Sequence, residues 1–122
     1  MAVAIRESVT ELGGVLVSAT NVINTGNANV TGNTSGLIYL VDIDNTNNTT
    51  DVYLKIKDHG SSVGSGQTPD WMLKGKSGVI TSYVFTSGVP YSAGVSIWCT
   101  LSATVNDTNS PANSVRVDIV AS

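Results

Sequence analysis

A chain of 122 residues has room for one domain and one core, and at this size it needs neither metal nor disulfide to fold. Only 12% of its residues are charged and the formal net charge is −3, too few clustered cations for a nucleic-acid-binding surface. The longest apolar run, Leu37 to Val41, falls far short of the ~20 residues of a membrane-spanning helix, and Cys99, being alone, excludes an intrachain disulfide. Met1 to Gly14 does not read as a classical secretory signal. Low charge with a mean hydropathy of +0.15 suits a protein that works assembled against other protein.

Alternation of apolar and polar residues is the main signal, since a strand sends successive side chains to opposite faces. In chain order, Val3 to Val9 alternates weakly, with Val3 and Ile5 on one side. Residues 1–14 therefore read as an N-terminal arm or an edge strand. Ser8 and Glu11 have capping-box spacing, but Gly13-Gly14 follows at once and argues against a helix. Val15, Val17 and Ala19 share a face of the next strand. Leu37 to Ile43 is almost continuously apolar, the pattern of a strand buried on both faces. Val52, Leu54 and Ile56 then alternate with Tyr53, Lys55 and Lys57. Thr68 to Leu73 is a short strand that Pro69 confines to an edge or a strand start. Ile80 and Val84 alternate with Val79, Thr81, Tyr83 and Phe85, leaving apolar side chains on both faces. Val95, Ile97, Cys99 and Leu101 oppose Ser96, Trp98, Thr100 and Ser102. Val115, Val117 and Ile119 oppose Ser114, Arg116 and Asp118.

Turn chemistry separates these runs: Asn24 to Gly36, Asp44 to Asp51, His59 to Gln67, Lys74 to Gly78, Ser87 to Gly94 and Asn106 to Asn113. Short strands at this spacing predict an all-β fold. The expected architecture is a single-domain two-sheet sandwich, jelly-roll-like, of about eight antiparallel strands spanning residues 1–122.

The sequence offers little for catalysis. His59 is the sole histidine, no Gly-x-Ser-x-Gly elbow is present, and Asp58, its neighbour on a strand end, points elsewhere by alternation. The run Asp42, Asp44, Asn45, Asn47, Asn48, Asp51 suggests calcium. Counted from Asp42, however, the sixth position is Asn47 and the twelfth Tyr53, where an EF-hand has Gly and Glu. Such Asx residues are ordinary turn formers. Asn29-Val30-Thr31 and four similar triplets match the glycosylation pattern, as chance allows in a chain this rich in Asn, Ser and Thr. Cys99 falls on an inward phase, where it acts as a small hydrophobe. No catalytic residue, cofactor or metal ligand is expected.

Trp98 stands out instead. Its in-phase neighbours Ser96, Thr100 and Ser102 are polar, which puts the indole on an outer face, either as a contact surface or under a loop of its own chain. Tyr53 and Lys55 occupy the corresponding outer face of another strong strand. Trp71 reads as core. The candidate interface residues are therefore Trp98, Tyr53 and Lys55, with Val3 and Ile5 of the N-terminal segment able to add to a sheet edge.

Several short pieces carry a family likeness: Asp42-Ile43-Asp44-Asn45-Thr46, Val52 to Ile56, Val63-Gly64 with Thr68-Pro69-Asp70, and Gly88 to Ile97. Together they resemble small virion proteins of tailed bacteriophages, a group that includes head decoration or cement proteins. The similarity runs from about Leu37 to the C-terminus, and residues 1–36 take no part in it. It implies a structural, non-enzymatic role on the capsid exterior, with the major capsid protein as partner and no nucleic acid or membrane. It also implies self-association, with a homotrimer suited to the threefold positions of a capsid lattice. A tail, fibre or baseplate component is the alternative, although the chain lacks the repeats of a fibre. A carbohydrate-binding module with Trp98, Tyr53 and Trp71 as sugar platforms is the third reading.

Overall fold

The structure, a computed structural model, describes residues 4–9, 14–61 and 63–122. Eight strands follow one another: β1 (Ala4–Val9), β2 (Gly14–Val22), β3 (Gly36–Asp44), β4 (Val52–Asp58), β5 (Trp71–Gly75), β6 (Ile80–Tyr91), β7 (Val95–Thr100) and β8 (Val115–Ala121). They form a five-stranded sheet in the order β1-β2-β8-β3-β6 and a three-stranded sheet in the order β5-β4-β7, with antiparallel pairing throughout. No helix occurs among the described residues.

The segment between β2 and β3 completes the smaller sheet. Asn27 exchanges both backbone hydrogen bonds with Ile97 of β7, Val30 N–H donates to Val95 O, and Cys99 N–H donates to Ile23 O. Counted as a fourth strand beside β7, this segment makes the two sheets interleave as two Greek keys. That is the jelly-roll order, with β1 added at one edge.

The core is the meeting of two inner faces. Val17 and Ala19 of β2, Ile38, Val41 and Ile43 of β3, and Val117 and Ile119 of β8 face Leu54 and Ile56 of β4 and Ile97 and Cys99 of β7, all buried. Trp71 and Leu73 of β5 and Tyr83, Phe85 and Val89 of β6 are partly buried and pack against this core at its margin, as expected for Trp71. The Trp71 and Phe85 rings meet edge to face at 6.3 Å, the geometry that the quadrupoles of two rings favour.

Bulges explain two departures from the sequence reading. In β3, Ile38 pairs with Ala121 but Leu40 pairs with Val120, so Tyr39 is an extra residue. The phase shifts there: Ile38 is inward before the bulge, Val41 and Ile43 after it. An apolar run that looks buried on both faces is thus a one-sided strand with a bulge inside it. In β6, Val84 pairs with Leu40 and Val89 with Ile38, leaving extra residues between them. Gly88, at φ 77, turns the chain there, and a Cβ at this position would lie 2.8 Å from the Leu37 Cβ. The expected Ser87–Gly94 turn therefore shrinks to Ser92–Gly94, and β6 runs through to Tyr91. β5 starts two residues after Pro69, with Trp71 opposite Ile56 and Asp70 N–H donating to Ile56 O just before it.

Candidate interaction surface

The outer face of the smaller sheet brings Trp98, Lys55 and Tyr53 together, as their phase predicts. Lys55 of β4 lies directly opposite Trp98 of β7, and Tyr53 lies opposite Thr100. The face is not open. Trp98 and Lys55 are both completely buried and Tyr53 is half-buried. The 101–113 segment closes over Lys55, beside Trp98: Lys55 Nζ donates to Thr104 O at 2.5 Å and to Val105 O at 3.4 Å. Of the two outcomes open to Trp98, a contact surface or cover by its own chain, the structure gives the second. Trp98 and Lys55 are removed from the candidate interface, and the sugar-platform reading loses its principal ring.

That covering loop is knit to itself and to the fold. Asp107 accepts hydrogen bonds from Ser102 N–H, Asn109 N–H and Asn109 Nδ2. Asn24 Nδ2 donates to Thr108 O and Asn24 N–H to Ser110 Oγ. Burial pushes the Asp107 carboxyl up, but the hydrogen bonds from Asn109 and Ser102 together outweigh it and hold it below the usual carboxylate value. Burial also holds the Lys55 ammonium below the ordinary lysine value, with the Asp107 charge opposing that shift. The Trp98 indole N–H finds no hydrogen-bond acceptor beneath the loop. Covering the ring therefore carries a polar cost that its buried area must exceed.

The other sequence candidates lie apart. Ile5 belongs to β1, whose backbone register sets it against Ser18, and Val3 lies outside the described residues. Residues 4–9 of the N-terminal segment form β1, the strand at the β2 edge of the five-stranded sheet. The apparent capping pair is not a helix start at Ser8, which falls in β1, and Glu11 lies outside the described residues.

The polar motifs resolve into turn architecture. Asp44 accepts from Thr46 N–H and Oγ1. The buried Asn45 donates to Thr50 O and Gly75 O, and Asn48 bonds to Asn45 and to Asn113. Among the described residues no three His, Cys, Asp or Glu side chains converge on a metal-sized site. The Asp58 carboxylate accepts from three consecutive N–H groups, those of Ser92, Ala93 and Gly94, so it orients the β6–β7 turn and not His59. The Nε2 of His59 meets Ser61 Oγ at 2.9 Å in an exposed loop. Cys99 is wholly buried, and that burial pushes its thiol far up, leaving it protonated and unreactive.

What remains open is the β6 end of the larger sheet. Its cross-strand register lines up Leu16, Val120, Leu40 and Val84 as one apolar row over the outer face, beside a polar row of Ser18, Asp118, Asp42 and Ser82. The row ends on β6, where Val84 is 68% exposed and Ile80 58%. β6 is the last strand of the sheet, and no strand among the described residues pairs with its other side. Sequence reading passed over this edge because aliphatics in both phases masked its alternation. The available signal was charge: from Ser77 to Asn106 the chain has no Asp, Glu, Lys, Arg or His.

Compared with protein-family models, curated proteins and solved structures, the chain gives no match.

Proposed function

We propose that this chain is a non-enzymatic structural protein of a virion, a capsid decoration protein that binds the major capsid protein lattice from outside and stabilises it. The observation that carries this reading is the uncharged outer end of the larger sheet, with Val84, Ile80 and Val79 all exposed on or beside its edge strand. Natural sheet edges are usually blunted with charge, and an edge left apolar and uncharged is suited to contact with other protein. The phage-like segments add the particle to this reading by resemblance. They fall on joints of the fold: the end of β3 with its turn, β4, the approach to β5, and the β6–β7 connection. They therefore support a shared scaffold more directly than a shared binding face, and a scaffold alone does not specify a partner.

The test is imaging of purified particles carrying an epitope-tagged copy of the full chain. Label distributed over the capsid exterior is the expected result. Label confined to the tail would replace decoration with a tail or baseplate role, and absence from the particles would overturn a virion function altogether.

A further inference from the structure

We infer that β6 is a self-association edge: two copies of this chain pair antiparallel along Ile80–Val84, about a two-fold axis through Ser82, joining two five-stranded sheets into one. The inference deepens the reading of this edge as an assembly surface and does not depend on the identity of the particle.

Three strands at sheet edges can be compared. β1 carries Arg6 and Glu7, and β5 is five residues long and carries Lys74, whose ammonium reaches Asp51 at 3.3 Å. β6 spans twelve residues without a charge. An unpaired edge presents a row of N–H and C=O groups that another strand can satisfy, and charge is the usual deterrent. A second copy is the occupant this edge suits best, because self-pairing sets each side chain against one from the same strand. Any charge on β6 would then lie close to its own like, and there is none.

The register follows from the exposed side chains. Ile80, Ser82 and Val84 share the outer face of β6, and Ile80 and Val84 are its most exposed apolar groups. With the two-fold at Ser82, Ile80 of one copy faces Val84 of the other, twice. Ser82 faces Ser82, and Thr81 faces Tyr83 on the opposite face. β-branched pairs directly across an antiparallel ladder are stabilising. Centring the axis on Thr81 or Tyr83 instead sets an aliphatic against Ser82, so side-chain chemistry selects this register. The regular part of β6 ends where the pairing ends: after Val84 the strand bulges toward Gly88. The resulting contact is isologous, a two-fold where a lattice-based expectation gives a trimer.

The test uses the purified full chain at micromolar concentration. Sedimentation equilibrium should show a dimer. Ser82→Lys places two ammonium groups face to face on the axis and should weaken association on the order of tenfold or more, with the far-ultraviolet circular dichroism of the folded chain unchanged because Ser82 is exposed. Ser82→Cys should cross-link into a covalent dimer under mild oxidation, since facing residues of an antiparallel pair lie within disulfide reach. Ile80→Cys, which faces residue 84, should not. A wild-type chain that stays monomeric, an oligomer indifferent to Ser82→Lys, or equal cross-linking from positions 80 and 82 would each overturn the two-fold edge. A dimer that behaves as described, on a protein absent from virions, would instead overturn only the proposed location.

Discussion

The outer faces of the two sheets treat their apolar side chains in opposite ways. On the smaller sheet Trp98, one of the two indoles in the chain, is fully buried beside a lysine that a loop caps. On the larger sheet two modest aliphatics, Ile80 and Val84, stand in solvent at an unpaired edge. The contrast separates size from availability. A bulky aromatic on the outward phase of a strand is a place where the chain can gain by covering it, since full burial of such a side chain contributes several kcal/mol. A short β-branched side chain on an edge offers less, and it can stay exposed until a partner adds a strand.

The largest break in this contrast is Trp98→Ala. It should destabilise the fold by about 3–5 kcal/mol, the range for an aromatic removed from a packed site. In the monomer, Val84→Thr should shift stability by less than about 0.5 kcal/mol, as exposed substitutions do. Urea unfolding of both variants checks the difference. Trp98→Phe refines it, because it keeps most of the ring while removing an indole N–H that has no acceptor. It should cost much less than Trp98→Ala.

Lys55→Met comes next. The methionine retains the apolar stem but strips Thr104 O and Val105 O of their donor, a loss of about 1–3 kcal/mol that relief of a buried charge partly offsets. Amide exchange should rise across residues 101–113 while β6 is unaffected. The pH dependence has a definite sign. The folded pKa of Lys55 is lowered, so between that value and the ordinary 10.5 the unfolded chain binds more protons. Wild-type stability should therefore gain with rising pH in that window relative to Lys55→Met. A loop that stays protected in Lys55→Met would mean that the cover does not depend on this clip.

How much of this was legible in the sequence depends on the range of the interactions involved. Alternation in Val52–Lys57 and Val95–Ser102 is local, and it gave the strands, the inward phase of Cys99 and the shared outer face of Lys55 and Trp98. The cover over that face was not legible, because Thr104 lies 49 residues from Lys55 and the contact exists only once β4 and β7 pair. Bulges hid the phase of β3 at Tyr39 and the length of β6 at Gly88, since one extra residue mimics either a doubly buried strand or a turn. The open edge was legible in principle as a charge-free stretch. Its exposure followed only from strand order, which places β6 last.

A smaller effect links the two sheets. Asp58 ends β4 and holds the turn between β6 and β7. Burial pushes its carboxyl up, but the N–H groups of Ala93, Ser92 and Gly94 together outweigh it and hold it below the usual carboxylate value. A depressed folded pKa contributes stability that is present above the unfolded value, about 3.9, and is lost as pH falls through the folded one. Acid unfolding followed by circular dichroism should thus lose part of its pH dependence in Asp58→Asn. An unchanged acid limb would show that the turn does not rely on the charge.

The smallest expected effect lies on the open sheet and has the opposite sign. Asp42 and Asp118 sit directly across from each other on β3 and β8, and like charges in that position repel. Asp118 has relief from Arg116 at 3.3 Å, whereas Asp42 Oδ1 is enclosed without a hydrogen-bond partner. Asp42→Asn removes the repulsion and adds an amide that can donate toward Asp118. It should stabilise the chain by about 0.2–1 kcal/mol at neutral pH, with less gain at high salt. Asp118→Asn should gain less, because it also gives up the pairing with Arg116, although exposed ion pairs of that kind contribute little. Chemical denaturation of the two variants at low and high salt gives the comparison. If Asp42→Asn destabilises instead, its carboxylate is held by the sheet more firmly than these contacts indicate. The outer face of the larger sheet would then be tied into the fold no less tightly than the covered face of the smaller one.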